Sequence, residues 1–199
     1  MTWQTEFWSW MSPSSVKTSE VPEIGQKAPS TPKVNIPANN GKPTIVSFLR
    51  HCGCPFAEKT FLRLRATASK HPDVNFIAVS HSDRASTDRW LASLRSSPPS
   101  TNQSPPPNLQ IIIDTEREAY AAWGLGTSSF WHVLGSIPSV SKLGKEEGIH
   151  VRPTESGNRW QTGGCFGVDG GGVVRWGGRD GRADEVVDFG KGVARVLGK

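Results

Sequence analysis

Cys52 and Cys54, two residues apart, are the sharpest chemical feature of the sequence. Cys54 directly precedes Pro55 and follows the apolar run Thr44 to Leu49 (TIVSFL). Proline suits the first turn of a helix, because its missing N–H would have no intrahelical partner there. The position therefore puts a sulfur at the carboxyl end of a strand and the amino end of a helix. Unpaired N–H groups and the positive helix end favour a thiolate at such a place. Nucleophilic thiol chemistry needs that arrangement. Arg50, His51 and Lys59 are near enough in sequence to add positive charge. The competing reading is a small buried hydrophobe, as many free cysteines are, but position and flanks favour the reactive one.

Cys52 and Cys54 in a C-x-C pair can close only a small, strained and easily reduced ring. A metal would need two more ligands, and His51, His81, His132, His150 and Cys165 show no zinc spacing, so none is expected. Cys165 opens the clearest hairpin of the chain: a strand to Val168, a turn at Asp169-Gly170-Gly171-Gly172, and a strand from Val173 to Trp176. It reads equally well as a resolving thiol facing Cys54 or as a core cysteine. Phe130, Trp131, His132, Trp160 and Trp176, with Arg159, are candidates to line an apolar pocket for an organic ligand. Filling the core is the commoner fate of any one tryptophan. The glycines at 163–164 and 170–172 make no G-x-G-x-x-G, and no G-x-S-x-G elbow occurs. No nucleotide or flavin cofactor is expected, and reducing power must come from an external thiol.

The elements that must position these residues follow from periodicity. Strands are expected at 44–49, 74–79 and 109–113, the last (LQIII) ending at Asp114. Helices are expected from Pro55 to about Ser69, from a Ser86 or Thr87 cap through Leu94, from Glu116 to Trp123, and from Asp184 to Leu197. One or two short helices are expected over 128–143, followed by a Gly-rich link to Asn158. A low-complexity loop, SSPPSTNQSPPPN, spans 96–108. Residues 1–20 form an arm with Trp3, Phe7, Trp8 and Trp10, expected to dock on its own domain. Residues 21–199 form a single domain. The alternation of strands and helices, closed by a hairpin, is an α/β order. It predicts a thioredoxin-like fold: a central mixed sheet with parallel core strands and an antiparallel C-terminal hairpin, with helices on both faces.

Composition sets outer limits. The chain has 199 residues and a formal net charge of +5, but its 23 Lys and Arg are scattered, so a mildly basic solvated surface is a better reading than nucleic-acid binding. No apolar stretch is long enough to span a bilayer. The first residues do not resemble a secretory leader. Three cysteines exclude a disulfide scaffold, and a reducing, cytoplasmic setting is expected.

Residues 21–29 (VPEIGQKAP), 48–56 (FLRHCGCPF), 114–125 (DTEREAYAAWGL) and 159–168 (RWQTGGCFGV) together resemble the peroxiredoxin-like branch of the thioredoxin superfamily, the alkyl hydroperoxide reductase/thiol-specific antioxidant-like group. The resemblance implies Cys54 as nucleophile; in that reading His51 is expected to support the thiolate, and Arg50 either to orient the substrate or to pair structurally. Resolution then falls to Cys52, to Cys165, to an external thiol or to nothing; a thioredoxin or glutathione system is the expected reductant, and a homodimer is left open. The chain departs from the pattern at three places. Ala57 stands where many members have the second cysteine of C-x-x-C. His51 and Ser47 replace the usual Thr/Ser and Pro ahead of the nucleophile. Gly163 stands where peroxiredoxins place an arginine and thioredoxins a cis-proline.

Three functions compete on this basis. The first is a thiol-dependent oxidoreductase reducing a peroxide, endoperoxide or disulfide. The second is a repurposed enzyme tailoring an aromatic or polyketide-like small molecule in biosynthesis. The third is a non-catalytic binding or scaffold protein.

Overall fold

The computed structural model describes residues 16–95, 105–127, 148–149, 152, 156–181 and 187–199. The Trp-rich part of the arm, most of the 96–108 loop, and Phe130, Trp131 and His132 lie outside the described residues.

Five strands form one sheet in the order β3-β2-β1-β4-β5. They are β1 (Thr44–Phe48), β2 (Asn75–Ser80), β3 (Leu109–Ile113), β4 (Gly164–Val168) and β5 (Val174–Arg179). β1, β2 and β3 run parallel, while β4 runs antiparallel to β1 and β5. The expected thioredoxin-like mixed sheet is therefore present. Among the described residues the helices are α1 (Pro55–Ala68), α2 (Arg84–Arg95), α3 (Glu118–Ala122) and α4 (Phe189–Val196).

Strand alternation divides the core into two layers. Ile45 and Leu49 of the β1 segment, with Phe76 and Ala78 of β2, join Phe61 and Leu64 of α1, Trp90 and Leu94 of α2, and Phe189 and Val193 of α4. Val46 and Phe48, with Ile77 and Val79, face the opposite way onto Ala119 and Tyr120 of α3 and Trp123 behind it. Helices thus cover both faces. Gly167 lets α4 approach, since a Cβ there would lie 2.8 Å from Val196 Cγ1.

Three helix starts differ from expectation, α3 beginning at Glu118 rather than Glu116. α2 begins at Arg84, because Asp83 supplies the cap: its Oδ1 accepts the Ser86 N–H at 2.7 Å and its Oδ2 accepts the Ser86 hydroxyl at 3.1 Å. Ser86 is therefore bound by the cap rather than being it. At the C-terminus Asp188 caps α4, accepting from Gly190 N and Lys191 N, and the helix begins there.

Candidate functional site

The β1 strand delivers the chain to the site, and a polar strut fixes where it ends. Asp114 is fully buried behind β3; its Oδ2 accepts from Ala119 N (2.9 Å) and Tyr120 N (3.3 Å) and its Oδ1 from Lys33 Nζ (2.7 Å). That carboxylate orients α3, and the Lys33 ammonium is held above its usual range by the same hydrogen bond. Tyr120, on α3, then points its hydroxyl at the carbonyls of Leu49 (2.6 Å) and Val79 (2.8 Å), sharing one proton between them. The Leu49 carbonyl follows β1 directly, and the Val79 carbonyl lies one residue before the end of β2. Beyond one lies the cysteine loop, and beyond the other Ser80, His81 and Ser82. Burial drives the Tyr120 phenol well above its ordinary pKa, so it stays a donor.

The loop then turns twice. The Cys54 N–H donates to the His51 carbonyl at 3.0 Å, and Gly53 between the cysteines has φ 114°, a conformation that favours glycine. Cys54 is the N-cap residue of α1, extended in backbone, with Pro55 opening the helix and no side-chain capping bond. Its carbonyl accepts the Glu58 N–H at 3.1 Å. The sulfur-bearing residue is only 5% exposed and sits in a small apolar cluster with Phe56, Ala57 and Ile149. Arg152 secures that cover: its N–H donates to the Gly53 carbonyl at 3.1 Å and its Nε to Glu58 Oε2 at 3.0 Å.

Cys52 has different surroundings. Its Sγ lies 3.7 Å from Ser80 Oγ and 3.8 Å from Thr87 Oγ1, and its N–H donates to Ser82 Oγ at 3.3 Å. Ser80 and Thr87 are themselves hydrogen-bonded at 3.0 Å. Cys165 is elsewhere again. It pairs with Ser47 across β4 and β1, its Sγ 3.3 Å from Ser47 Oγ. It belongs to the same apolar layer as Cys52, whereas Cys54 belongs to a separate cluster. It also lines a crevice of about 10 Å³ under the first turn of α1, with Arg50, Phe56, Thr60 and Asp180. All three cysteines are free thiols.

The charges around the loop differ from the sequence expectation in one respect. His51 is held neutral: burial, then the neighbouring Arg50, His81 and Arg159 charges, push its pKa well below the ordinary value. It cannot add positive charge to the loop. Its backbone carbonyl sets the turn instead, and its buried Nδ1 has no hydrogen-bond partner. Arg50 is the buried cation here, donating from Nη2 to the Arg159 carbonyl at 3.3 Å. Gly163 is required beside it, since a Cβ would lie 2.5 Å from Asp180 Oδ2 and 2.9 Å from the Phe48 carbonyl.

The proposed aromatic pocket is not assembled by its described members. Trp176 packs on α4, its ring centroid 6.2 Å from that of Phe189 and its edge against Gly192. It lines neither cavity at the cysteine end. The glycine at 192 makes room for it there. Trp160 is buried, with its N–H bonded to Asn158 Oδ1 at 3.0 Å.

A parallel-core sheet of this order, with a free cysteine opening the helix after β1, defines a thioredoxin-like thiol protein. A profile of the AhpC/TSA antioxidant enzymes matches residues 62–182, and the chain belongs to that family. The two loop cysteines lie ahead of the matched span. Among solved structures it is similar to a peroxiredoxin-like protein from Aquifex aeolicus, at 12% identity over 91% of this chain and 90% of that one, TM-score 0.60. A cysteine-to-serine variant of peroxiredoxin 6 from Arenicola marina matches at 14% identity, 88% and 72% coverage, TM-score 0.58. A yeast mitochondrial 1-Cys peroxiredoxin, described as resolved through glutathione/thioredoxin systems, matches at 16% identity, 88% and 75% coverage, TM-score 0.50. No curated protein matches the sequence.

Proposed function

We propose that the protein is a thiol-dependent peroxidase in which Cys54 is the nucleophile. The observation that carries this reading is the placement of a free cysteine as the N-cap of α1, directly after the central strand. The Cys54 thiolate attacks the distal oxygen of a hydroperoxide, the O–O bond breaks, and the sulfur becomes a sulfenic acid. The departing alkoxide takes a proton and leaves as an alcohol. A thiol then condenses with the sulfenic acid, releasing water, and a second thiol reduces the resulting disulfide. Two thiols are consumed for each hydroperoxide.

Arg50 is buried beside the loop, where its Nη2 donates to the Arg159 carbonyl, and its guanidinium is the group proposed to orient the peroxide. Phe56, Leu62 and Ile149 around Cys54 give the site an apolar wall. That wall favours an organic hydroperoxide over hydrogen peroxide, because the substrate's carbon portion leaves water on binding.

The test is consumption of cumene hydroperoxide and of hydrogen peroxide by the full chain with dithiothreitol in excess. Wild type should consume both, the organic peroxide faster. Cys54→Ser should lose at least about a hundredfold of the rate, having lost its nucleophile. Equal rates in wild type and variant would end the proposal.

A further inference from the structure

The sheet has two edges, and the chain treats them differently. At the β5 edge the lead-in pairs with the start of the strand: Gly25 N–H donates to the Val174 carbonyl at 2.8 Å and Val174 N–H to the Gln26 carbonyl at 2.9 Å. The rest of β5 carries exposed Arg175 and Arg179, with Gly177 at φ 94° between them. Cover, charge and a distorted backbone are common guards against edge-to-edge pairing.

β3, at the other edge, has none of these guards. It reads Leu109, Gln110, Ile111, Ile112, Ile113, with no charge, no proline and no shift of register against β2. Two hydrogen bonds settle which of its backbone groups face outward. Phe76 N–H donates to the Asn108 carbonyl and Asp114 N–H to the Ser80 carbonyl. The alternation of a parallel pair then turns Asn108, Gln110, Ile112 and Asp114 toward β2. The N–H and C=O of Ile111 and Ile113, and the Leu109 carbonyl, point away from the sheet, and none of them has a partner among the described residues. The Leu109 N–H is already taken by the Pro106 carbonyl at 2.9 Å.

We propose that β3 is a pairing edge for a second copy of this chain, joined antiparallel about a two-fold axis at Ile111. In that register the two Ile111 residues exchange N–H···O=C bonds, and each Ile113 N–H donates to the Leu109 carbonyl of the other copy. The pairing leaves unused the one outward donor that is already occupied. Leu109 meets Ile113 and Ile111 meets itself, giving apolar cross-strand pairs on one face, beside the half-buried Leu91 of α2. Charge permits the approach. The next ionisable residue, Asp114, is fully buried and bound to Lys33 and the Ala119 N–H, so no like charges are set opposite one another. The prolines at 105–107 cannot donate to a longer ladder, which holds the register on 109–113. This matching of donors, acceptors and apolar spacing about Ile111 selects a second copy as the occupant, and it does not depend on the cysteine chemistry.

Sedimentation velocity of the reduced full-length protein over a concentration series tests the edge. Wild type should move from one chain mass toward two as concentration rises. Ile111→Pro keeps every bond to β2, since the Ile111 N–H is not among them, and removes the donor at the axis from both copies. Ile113→Lys adds a charged guard at a position outside the core clusters. Each should raise the dimer dissociation constant at least about tenfold, with the far-UV circular dichroism unchanged. Cross-linking reads the register without weakening the pair. With diamide as the oxidant, Ile111→Cys should form a covalent dimer at least about tenfold faster than Gln110→Cys, whose neighbour across the axis is Ile112 of the other copy. A wild type that stays at one chain mass throughout would overturn the second copy as the occupant. A dimer indifferent to both edge variants, or equal cross-linking of the two cysteine variants, would do the same.

Discussion

Cys52 and Cys54 are separated by one glycine, and the fold gives them opposite environments. Cys52 faces hydroxyl groups from β2 and α2 and a cavity walled by arginines. Cys54 opens α1 beneath an apolar cover from Ile149. The difference arises from Gly53, whose φ of 114° lets the chain reverse direction between them. Sequence spacing alone would group the two sulfurs as one motif. Geometry separates them into one that opens a helix under an apolar cover and one that lies against hydroxyl groups.

The largest expected effect splits the pair directly. Dimedone labelling after peroxide should vanish in Cys54→Ser and persist in Cys52→Ser. Labelling lost equally in both variants would erase the distinction.

Removing the support common to both residues comes next. Asp114→Ala leaves the Ala119 and Tyr120 N–H groups and the Lys33 ammonium without their acceptor. Breaking a buried ion pair of this kind costs about 3–5 kcal/mol, which urea unfolding should register.

An effect of similar size is set by pH. Burial lowers the His81 pKa to about 4 and holds His51 well below its ordinary value. Between the unfolded value near 6.5 and the folded one, the unfolded chain binds more protons than the native protein. Stability is therefore complete above pH 6.5 and lost as pH falls toward 4. His81 alone contributes on the order of 3 kcal/mol over that window. Urea midpoints measured from pH 7.5 to 4 should fall, and His81→Phe should flatten the fall. A pH-independent midpoint would contradict the buried neutral histidines.

The smallest effect sharpens the contrast in exposure. Ile149→Ala thins the cover over Cys54 and leaves the wall at Cys52 intact. Iodoacetamide should then modify Cys54 several-fold faster, with the Cys52 rate unchanged.

Much of the frame was legible in the sequence because apolar runs bounded by glycine, proline and polar residues mark buried strands. β3 matches its expected residues, and β1 ends one residue early, at Phe48. The placement of Cys54 was legible because Pro55 is a local signal for a helix start. The surroundings of Cys52 were not. Ser80, Ser82 and Thr87 reach it from a strand end and a helix that are distant in sequence, and none has a spacing that announces it. Ile149 and Arg152 were equally hidden in a glycine-rich link with no periodicity. The neutral state of His51 is not legible either, because sequence neighbours show adjacent charge but not the burial that lowers its pKa.

Intact mass of the reduced protein after brief, stoichiometric cumene hydroperoxide tests the central claim most directly. Wild type should gain one oxygen, or lose two hydrogens once an internal thiol condenses, and revert with dithiothreitol. Cys54→Ser should keep its starting mass. A wild-type mass that does not change, or a variant that oxidises as fast as wild type, would contradict Cys54 as the peroxide-reactive residue.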